Sequence, residues 1–400
     1  EVQRRRLNTY EGAFVFEPKP GLYKDIVVFD FRSLYPTILS SHNIGPDMIN
    51  CSCCKGTAKT TPDENRFWFC EKRRGFIPTL IEDLITRRMR IKEIIKEEKL
   101  MGVPERFAFL DARQNSLKLL ANSFYGYLGF FGARWYSIEC ARSITAWGRF
   151  YIRKVIDSAQ KDGFIVLYSD TDSIFLTLDG KTKDDALKFV SKINSELPGL
   201  MELEYEGFYP AGIFVSAKMG PFGAKKKYAL ISEEGTLKIK GFETVRRNWS
   251  MIAKDVQENV LDIILRENDT KKALEYVKNV IGNLRSKKIP ISKVVIHTQL
   301  QKEVIDYVAR GPHVAVAQRM KNKGKIIGPG TVIKYVVTQG SDIIRNRSRL
   351  PEEVKEGEYD PDYYINNQII PAVERIFNVL GYKKEDLLET KEQTKLEGFF

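Results

Sequence analysis

The hexapeptide Tyr168 to Ser173, YSDTDS, lies between two apolar runs, Phe164 to Leu167 and Ile174 to Leu178, and constrains this chain more than any other stretch. Two β-type segments around a short polar turn predict a hairpin with acids at its tip. Side chains alternate faces along a strand, so Asp170 and Asp172, two residues apart, are expected to point the same way. Carboxylates that close repel, which raises one pKa unless a cation compensates. The hard, oxygen-seeking ion that suits such a cluster is Mg²⁺. Taken alone, Asp-x-Asp also describes a solvated turn.

A third acid shifts the balance. Ile26 to Phe29 (IVVF) read as a buried strand that delivers Asp30 at its end, after which Arg32 to Asn43 turns and becomes helical around Pro36. By itself Asp30 could cap the turn that follows. Three acids on two strand ends instead suit two metal ions about 3.5–4 Å apart, one activating a nucleophilic oxygen and one steadying a leaving group at phosphorus.

Thr79 to Leu100 and Glu105 to Phe124 have helical periodicity and are joined by Gly102 to Pro104, predicting an antiparallel helical hairpin. Leu80, Leu84, Ile91 and Ile95 form the apolar stripe, while Arg88 and Lys92 sit four apart on another face and Lys118 and Asn122 repeat that spacing on the second helix. Apposed faces of this kind can clamp a triphosphate, Arg as a fork and Lys as a point charge. Arg87, Arg90 and Lys96 read as a solvated face.

The 400 residues exceed what one core usually serves, so two or three subdomains are expected. Lys and Arg number 64 against 52 acids, a net charge of +12 that suits a polyanionic partner. No apolar run approaches the ~20 residues of a membrane span and no signal peptide opens the chain, so a cytoplasmic enzyme without a membrane partner is expected. Glu1 in place of Met suggests the continuation of a longer chain or a processed piece. His42, His297 and His313 are too dispersed for a His-based metal site or a nucleophilic triad. Cys51 to Arg74 lack periodicity and contain Cys51, Cys53, Cys54 and Cys70. Cys51 and Cys54 have zinc-knuckle spacing, but a zinc site would need Cys53 or an outside ligand beside Cys70; a disulfide from Cys70 to Cys54 or Cys53, or free thiols, are the alternatives.

DFRSLYPT (Asp30 to Thr37), KLLANSFYG (Lys118 to Gly126) and YSDTDS, in that order, resemble the three polymerase motifs of family B DNA polymerases, most closely the archaeal replicative type. YEGA (Tyr10 to Ala13) is similar to the family's YxGG linker motif, KKY (Lys226 to Tyr228) to its KxY motif, and GPHVAVA (Gly311 to Ala317) to a thumb sequence. The resemblance implies an α+β right hand: an antiparallel-sheet palm (14–80, with the Cys-containing insertion 51–74, and 130–224), helical-hairpin fingers (81–129) and a mainly helical thumb (225–388). Residues 1–13 would be a linker from an upstream domain and 389–400 a tail. It also implies template-directed DNA synthesis in a prokaryotic, nucleoid-associated setting, with deoxynucleotides and primer-template DNA as partners. Asp30 and Asp172 would be the main ligands of two Mg²⁺ ions, with Asp170 close by. Arg88, Lys92, Lys118 and Asn122 would hold the nucleotide's phosphates, Ser33 and Leu34 cradle them with backbone, and Tyr35 lie under the sugar. Tyr125 and Gly126 would border the nascent base pair, and Lys226, Tyr228 and Arg246 hold the duplex backbone.

The sequence departs from the family pattern in places. SAKMGPFGAK precedes Lys226, longer than expected, and Ala13 stands where a second Gly is usual. No Asp-x-Glu occurs, so synthesis without proofreading is expected unless a separate upstream polypeptide carries the exonuclease. In the tail, Gln393, Leu396, Phe399 and Phe400 fit Q-x-x-L-x-x-F-F, which resembles the peptide by which replication proteins bind a sliding clamp: a short turn would present Leu396 and Phe399 as an apolar plug and Gln393 as an amide. A metal-dependent nuclease would use the same carboxylates without needing the hairpin's paired cations. A catalytically silent scaffold would not need the carboxylates.

Overall fold

The run Ile26 to Phe29 is fully buried within a longer strand, Gly21–Phe31, here β2. Four consecutive apolar residues suit a strand covered on both faces. The computed structural model describes residues 2–101, 105–217 and 222–388. Two compact units emerge, one of residues 1–17 and 25–208, the other of residues 18–24 and 209–400. Both β2 and the strand Leu203–Ser216 (β5) pass from one unit into the other.

In the first unit, β1 (Val15–Phe16), β3 (Ile165–Asp170) and β4 (Ser173–Thr177) join β2 in the order β1-β3-β4-β2, every pair antiparallel. Helices α1 (Leu34–Ser41), α4 (Ile138–Lys161) and α5 (Lys183–Ser195) belong to the same core, which gathers Phe29, Ile38, Trp147, Ile152, Ile174 and Phe189. Capping is explicit: the Ser137 hydroxyl accepts from the Cys140 amide, and Thr182 with Asp185 forms a capping box. The expected helical hairpin is present as α2 (Phe76–Met101) and α3 (Glu105–Gly129). Its buried stripe on α2 is Ile77, Ile81, Leu84, Ile85 and Ile91, whereas Leu80 is only partly buried, because the core lies about one residue round the helix from the expected stripe. A short helix, Val2–Arg6, was not expected from the turn-rich opening.

The second unit has its own core. The last part of β5 pairs with β6 (Gly223–Ile231), and β6 with β7 (Leu237–Lys240); register shifts between Phe214 and Ser216, and on β6 Lys226 takes φ 60°. Helices α6 (Met251–Asp262), α7 (Thr270–Arg285), α8 (Pro312–Asn322) and α9 (Ile370–Val379) follow, together with a small antiparallel sheet, β10-β9-β8, of Ser348–Arg349, Val332–Val337 and Ile296–Gln299. Reading 225–388 as mainly helical had passed over that sheet. On α6, Ile252, Val256 and Val260 are buried, whereas Met251, the first residue of the helix, is 52% exposed. Among the described residues no helix is long and apolar enough to cross a membrane.

One polar knot lies inside the second unit. Lys227 Nζ donates to both oxygens of Glu243, at 2.7 and 2.9 Å, with each side chain 8% exposed. Gln257 Nε2 donates to Glu243 at 2.8 Å, and its Oε1 accepts from the amide and hydroxyl of Thr244. Removing one partner of a buried pair strands the other charge. We expect Glu243→Leu to destabilise the chain by about 3–5 kcal/mol in a urea titration, and Lys227→Met with Glu243→Leu to recover most of that loss. Equal losses for the single and double variants would show that packing, not charge, dominates here.

Candidate active site

Strand register places the first carboxylate. Asp30 is opposite Ser173 across β2 and β4, and Ser173 is opposite Asp170 across β3 and β4. The hairpin tip is tight: the Asp172 amide donates to the Asp170 carbonyl at 2.7 Å, and Thr171 between them has φ 61°, a γ-turn of the rare positive-φ kind. The tip is held from two sides. The Thr171 amide donates to the Phe14 carbonyl at 3.1 Å, and the Asp172 carbonyl accepts from the Phe31 amide at 2.8 Å. That second bond fastens Asp172 beside the end of β2, where Asp30 sits.

Asp30, Asp172, Ser33, Leu34, Tyr35, Arg88, Lys118, Asn122 and Tyr125 line one cavity of about 390 Å³. They come from two strand ends, the start of α1 and both arms of the helical hairpin. Ser33 takes a left-handed conformation, φ 49° and ψ 54°, as the N-cap of α1, which turns the chain sharply after β2. Its hydroxyl accepts from Arg88 Nη1 at 3.1 Å. Arg88 Nε donates to Oε1 of buried Gln114 at 3.2 Å, and Gln114 is held by Asp111, so the guanidinium is aimed by the opposite arm of the hairpin. Lys118 and Asn122 share a face of α3.

Asp170, Lys92 and Gly126 are expected site residues that are not part of the cavity wall. Alternation between Asp170 and Asp172 requires extended backbone, and the γ-turn at Thr171 breaks it. Lys92 is one helical turn from Arg88, with Nζ 3.4 Å from Glu204. Gly126 is exposed next to Tyr125, and a Cβ there would meet nothing within 4 Å. Lys226, Tyr228 and Arg246 belong to the second unit. Tyr228 is buried with its ring stacked on Phe214, while Lys226 and Arg246 are exposed. Gln393, Leu396, Phe399 and Phe400 lie outside the described residues.

Three residues that sequence reasoning missed also shape the site. Glu204, near the start of β5, lines the cavity and accepts from Arg32 Nε at 2.7 Å, while Arg32 Nη1 meets Glu202 at 2.6 Å. Nothing in LEYEGFY marks Glu204 as different from its neighbours; only the sheet brings it to Asp30. Tyr10 is the third. Its hydroxyl is 3.1 Å from that of Tyr125, whose ring centroid is 4.6 Å from Tyr35. YEGA is therefore more than a linker: Arg149 Nη1 donates to the carbonyls of Glu11 and Gly12 at 2.8 Å, and Thr145 to Glu11, fixing the motif to α4.

The electrostatics are those of a site rich in negative charge. Burial first, then Asp172, Glu206 and Glu204, push the Asp30 carboxyl up to about 7, against a smaller opposing effect of Lys118. Burial, with Asp172 and other neighbours, pushes the Tyr35 phenol up to about 12, keeping it a neutral hydrogen-bonding group. Adjacent carboxylates that resist ionising together are hard oxygen donors short of positive charge, a donor set that fits Mg²⁺. With its folded pKa raised, Asp30 contributes stability that is complete below its unfolded value near 4 and is lost as pH rises through about 7. In the presence of chelator, Asp30→Asn is therefore expected to match the parent near pH 4 and to become the more stable of the two as pH rises past 7. A stability difference that stays flat between those limits in urea titrations would show that the neighbouring acids do not act on Asp30.

The sequence pattern of DNA polymerase family B matches residues 1–380. DNA polymerase 1 of Pyrococcus abyssi is 47% identical over 393 residues, covering 97% of this chain and 49% of that protein. The DNA polymerase of Thermococcus sp. (strain 9oN-7) is 47% identical over 394 residues, again 97% of this chain and 49% of that protein. The family B DNA polymerase from the hyperthermophilic archaeon Pyrobaculum calidifontis superposes with a TM-score of 0.71 at 34% identity, over 94% of this chain and 48% of that one. The chain thus spans about half the length of the relatives it matches. A match over nearly all of these residues, in sequence and in fold, places the chain among the family B DNA polymerases.

Proposed function

We propose that the chain catalyses template-directed DNA synthesis, adding deoxynucleotides to a primer 3′ end. The observation that carries this reading is the single cavity where Asp30 and Asp172 face Arg88, Lys118 and Asn122 with Tyr35 and Tyr125 alongside. In this reading the sheet of the first unit is the palm, α2 and α3 are the fingers, and the helices of the second unit form the thumb.

Asp30 and Asp172 would hold Mg²⁺, two ions in this reading with Asp170 close by, which when bound would neutralise phosphate charge and make the primer hydroxyl easier to deprotonate. The protein's own groups do the positioning. Arg88, aimed by Gln114 and Ser33, and Lys118 with Asn122 grip the triphosphate, and the Ser33–Leu34 backbone supports it at the start of α1. Lys92, paired with Glu204, joins that grip by exchanging the carboxylate for a phosphate. The primer 3′-oxygen then forms a bond to the α-phosphorus as the bond to the pyrophosphate oxygen breaks, and the cations meet charge that grows on the leaving group. Tyr35, packed against Tyr125, supports the sugar, and Tyr125 with the open surface at Gly126 borders the new base pair. Lys226, Tyr228 and Arg246 are assigned to the duplex backbone, where sequence-blind contacts suffice. The tail's Gln393, Leu396, Phe399 and Phe400 are assigned to a sliding clamp. Within these 400 residues the reading assigns polymerisation and no proofreading site.

Primer extension tests it. Asp30→Ala and Asp172→Ala are each expected to abolish extension with duplex affinity nearly unchanged; activity within about tenfold of the parent for both would remove the carboxylates from the chemistry. Arg88→Ala and Lys118→Ala should raise the KM for nucleotides and lower kcat, since both grip charge that builds toward the transition state. Effects confined to DNA affinity would move them to the duplex. Tyr35→Ala should admit ribonucleotides that the parent rejects, and unchanged discrimination would place the sugar elsewhere.

A further inference from the structure

The irregular stretch between α1 and α2 has four cysteines, and the fold brings all of them together. Cys51, Cys53 and Cys54 come from a short 3-10 turn, Ser52–Cys54, and its start. Cys70 arrives from the far end of the excursion, which folds back so that Ile49 bridges Phe69 and the Cys70 amide donates to the Met48 carbonyl at 2.9 Å. One sulfur from each of the four lies within 4.8 Å of the other three. The Cys53 sulfur is 3.7 Å from that of Cys54 and 3.6 Å from that of Cys70, and those of Cys54 and Cys70 are 4.0 Å apart. Sulfurs at the corners of a tetrahedron around one ion, with Zn–S near 2.3 Å, would be about 3.8 Å apart. A pair of disulfides would instead sort them two by two, and an iron–sulfur cubane would spread them over four irons.

The surroundings suit thiolates. The Glu71 amide donates to Cys54 Sγ at 3.5 Å, and the Lys72 and Arg73 amides donate to Cys70. Cys54 and Cys70 are 2% and 1% exposed, so two of the ligands are shut off from water, while exposed Cys53 leaves a way in for an ion. Four thiolates on a dication leave a doubly negative centre, and Lys55, Lys59, Arg66, Lys72, Arg73 and Arg74 are the basic residues of the same stretch.

We propose that Cys51, Cys53, Cys54 and Cys70 bind one zinc ion as a tetrahedral tetrathiolate. Its role is structural, because all four positions are taken by protein and none is open for chemistry. It clips the excursion at the base of the helical hairpin. Asn43 donates to the carbonyls of Cys70 and Arg73 at 2.6 and 2.8 Å and accepts from the Gly75 amide at 2.9 Å, immediately before α2, the helix that bears Arg88. Closing residues 51–70 with an ion removes loop freedom from the unfolded chain and gives the folded state a ligand to bind.

Elemental analysis of the full chain, purified without chelator from zinc-containing medium, is expected to give one zinc per chain and negligible iron. Replacement by Co²⁺ should give the intense visible absorption of tetrahedral cobalt thiolate, which needs no activity to read. Cys53→Ser and Cys70→Ser should each weaken zinc retention by at least about tenfold and lower the melting temperature, and Cys140→Ser, a cysteine buried in α4 outside the cluster, should retain the ion. A strong chelator should lower the melting temperature of the parent and not that of Cys70→Ser. Substoichiometric metal with a thiol count showing either a disulfide or five free thiols would overturn the proposal. So would the visible spectrum of an iron site, or cobalt absorption without thiolate character.

Discussion

A single backbone hydrogen bond, from the Phe31 amide to the Asp172 carbonyl at 2.8 Å, ties the tip of one hairpin to the end of another strand, and the rest of the site is arranged around that junction. The ladder between β2 and β4 sets its register, with Asp30 opposite Ser173. A one-residue slip would exchange the two faces of β2 and take Val27 and Phe29 out of the core they share, so the packing that holds them at 0% exposure also holds Asp30 in place. Two residues with positive φ bend the chain beside the two acids, Ser33 three positions after Asp30 and Thr171 immediately before Asp172. Backbone strain and charge repulsion are thus concentrated in a few residues and maintained by the packing beneath them.

The electrostatic consequence runs outward from that junction. Asp30 is crowded by Asp172, Glu204 and Glu206, and the cations that compensate come from other elements: Arg32 on Glu202 and Glu204, Lys92 on Glu204, and Lys118 near Asp30. Arg88 is hydrogen-bonded by Ser33 and Gln114, neither of which bears charge, while Glu204 acts on it from a distance. The Asn43 bridge and the four cysteines lie just before the start of α2, the helix that bears Arg88.

Sequence reasoning served best where one local rule decided the outcome. The buried strand before Asp30, the acid-tipped hairpin, the helical hairpin and the four-residue spacing of Lys118 and Asn122 all follow from hydrophobic period and turn chemistry, which are local properties. Motif order carried the family, which the match over residues 1–380 bears out. Local reasoning was least informative where backbone left its regular path, as at Thr171, whose φ of 61° makes a tight turn between Asp170 and Asp172.

What only the tertiary structure decided are the meetings between residues far apart in the chain. Glu204 reaches Arg32 across 172 positions, and Tyr10 reaches Tyr125 across 115. Neither pairing has a sequence signature, since a glutamate in a strand and a tyrosine in a linker read like many others. Cys70 is the same case in sharper form: it meets the cysteines at 51–54 only because the Ile49–Phe69 bridge returns the chain to them. The sequence by itself determined which elements form and which family's motifs they carry, because those depend on neighbours along the chain. Register, the γ-turn and the long-range contacts determined which carboxylates share a cavity and where the cations stand, because charge interactions depend on distances in space that no spacing along the chain encodes.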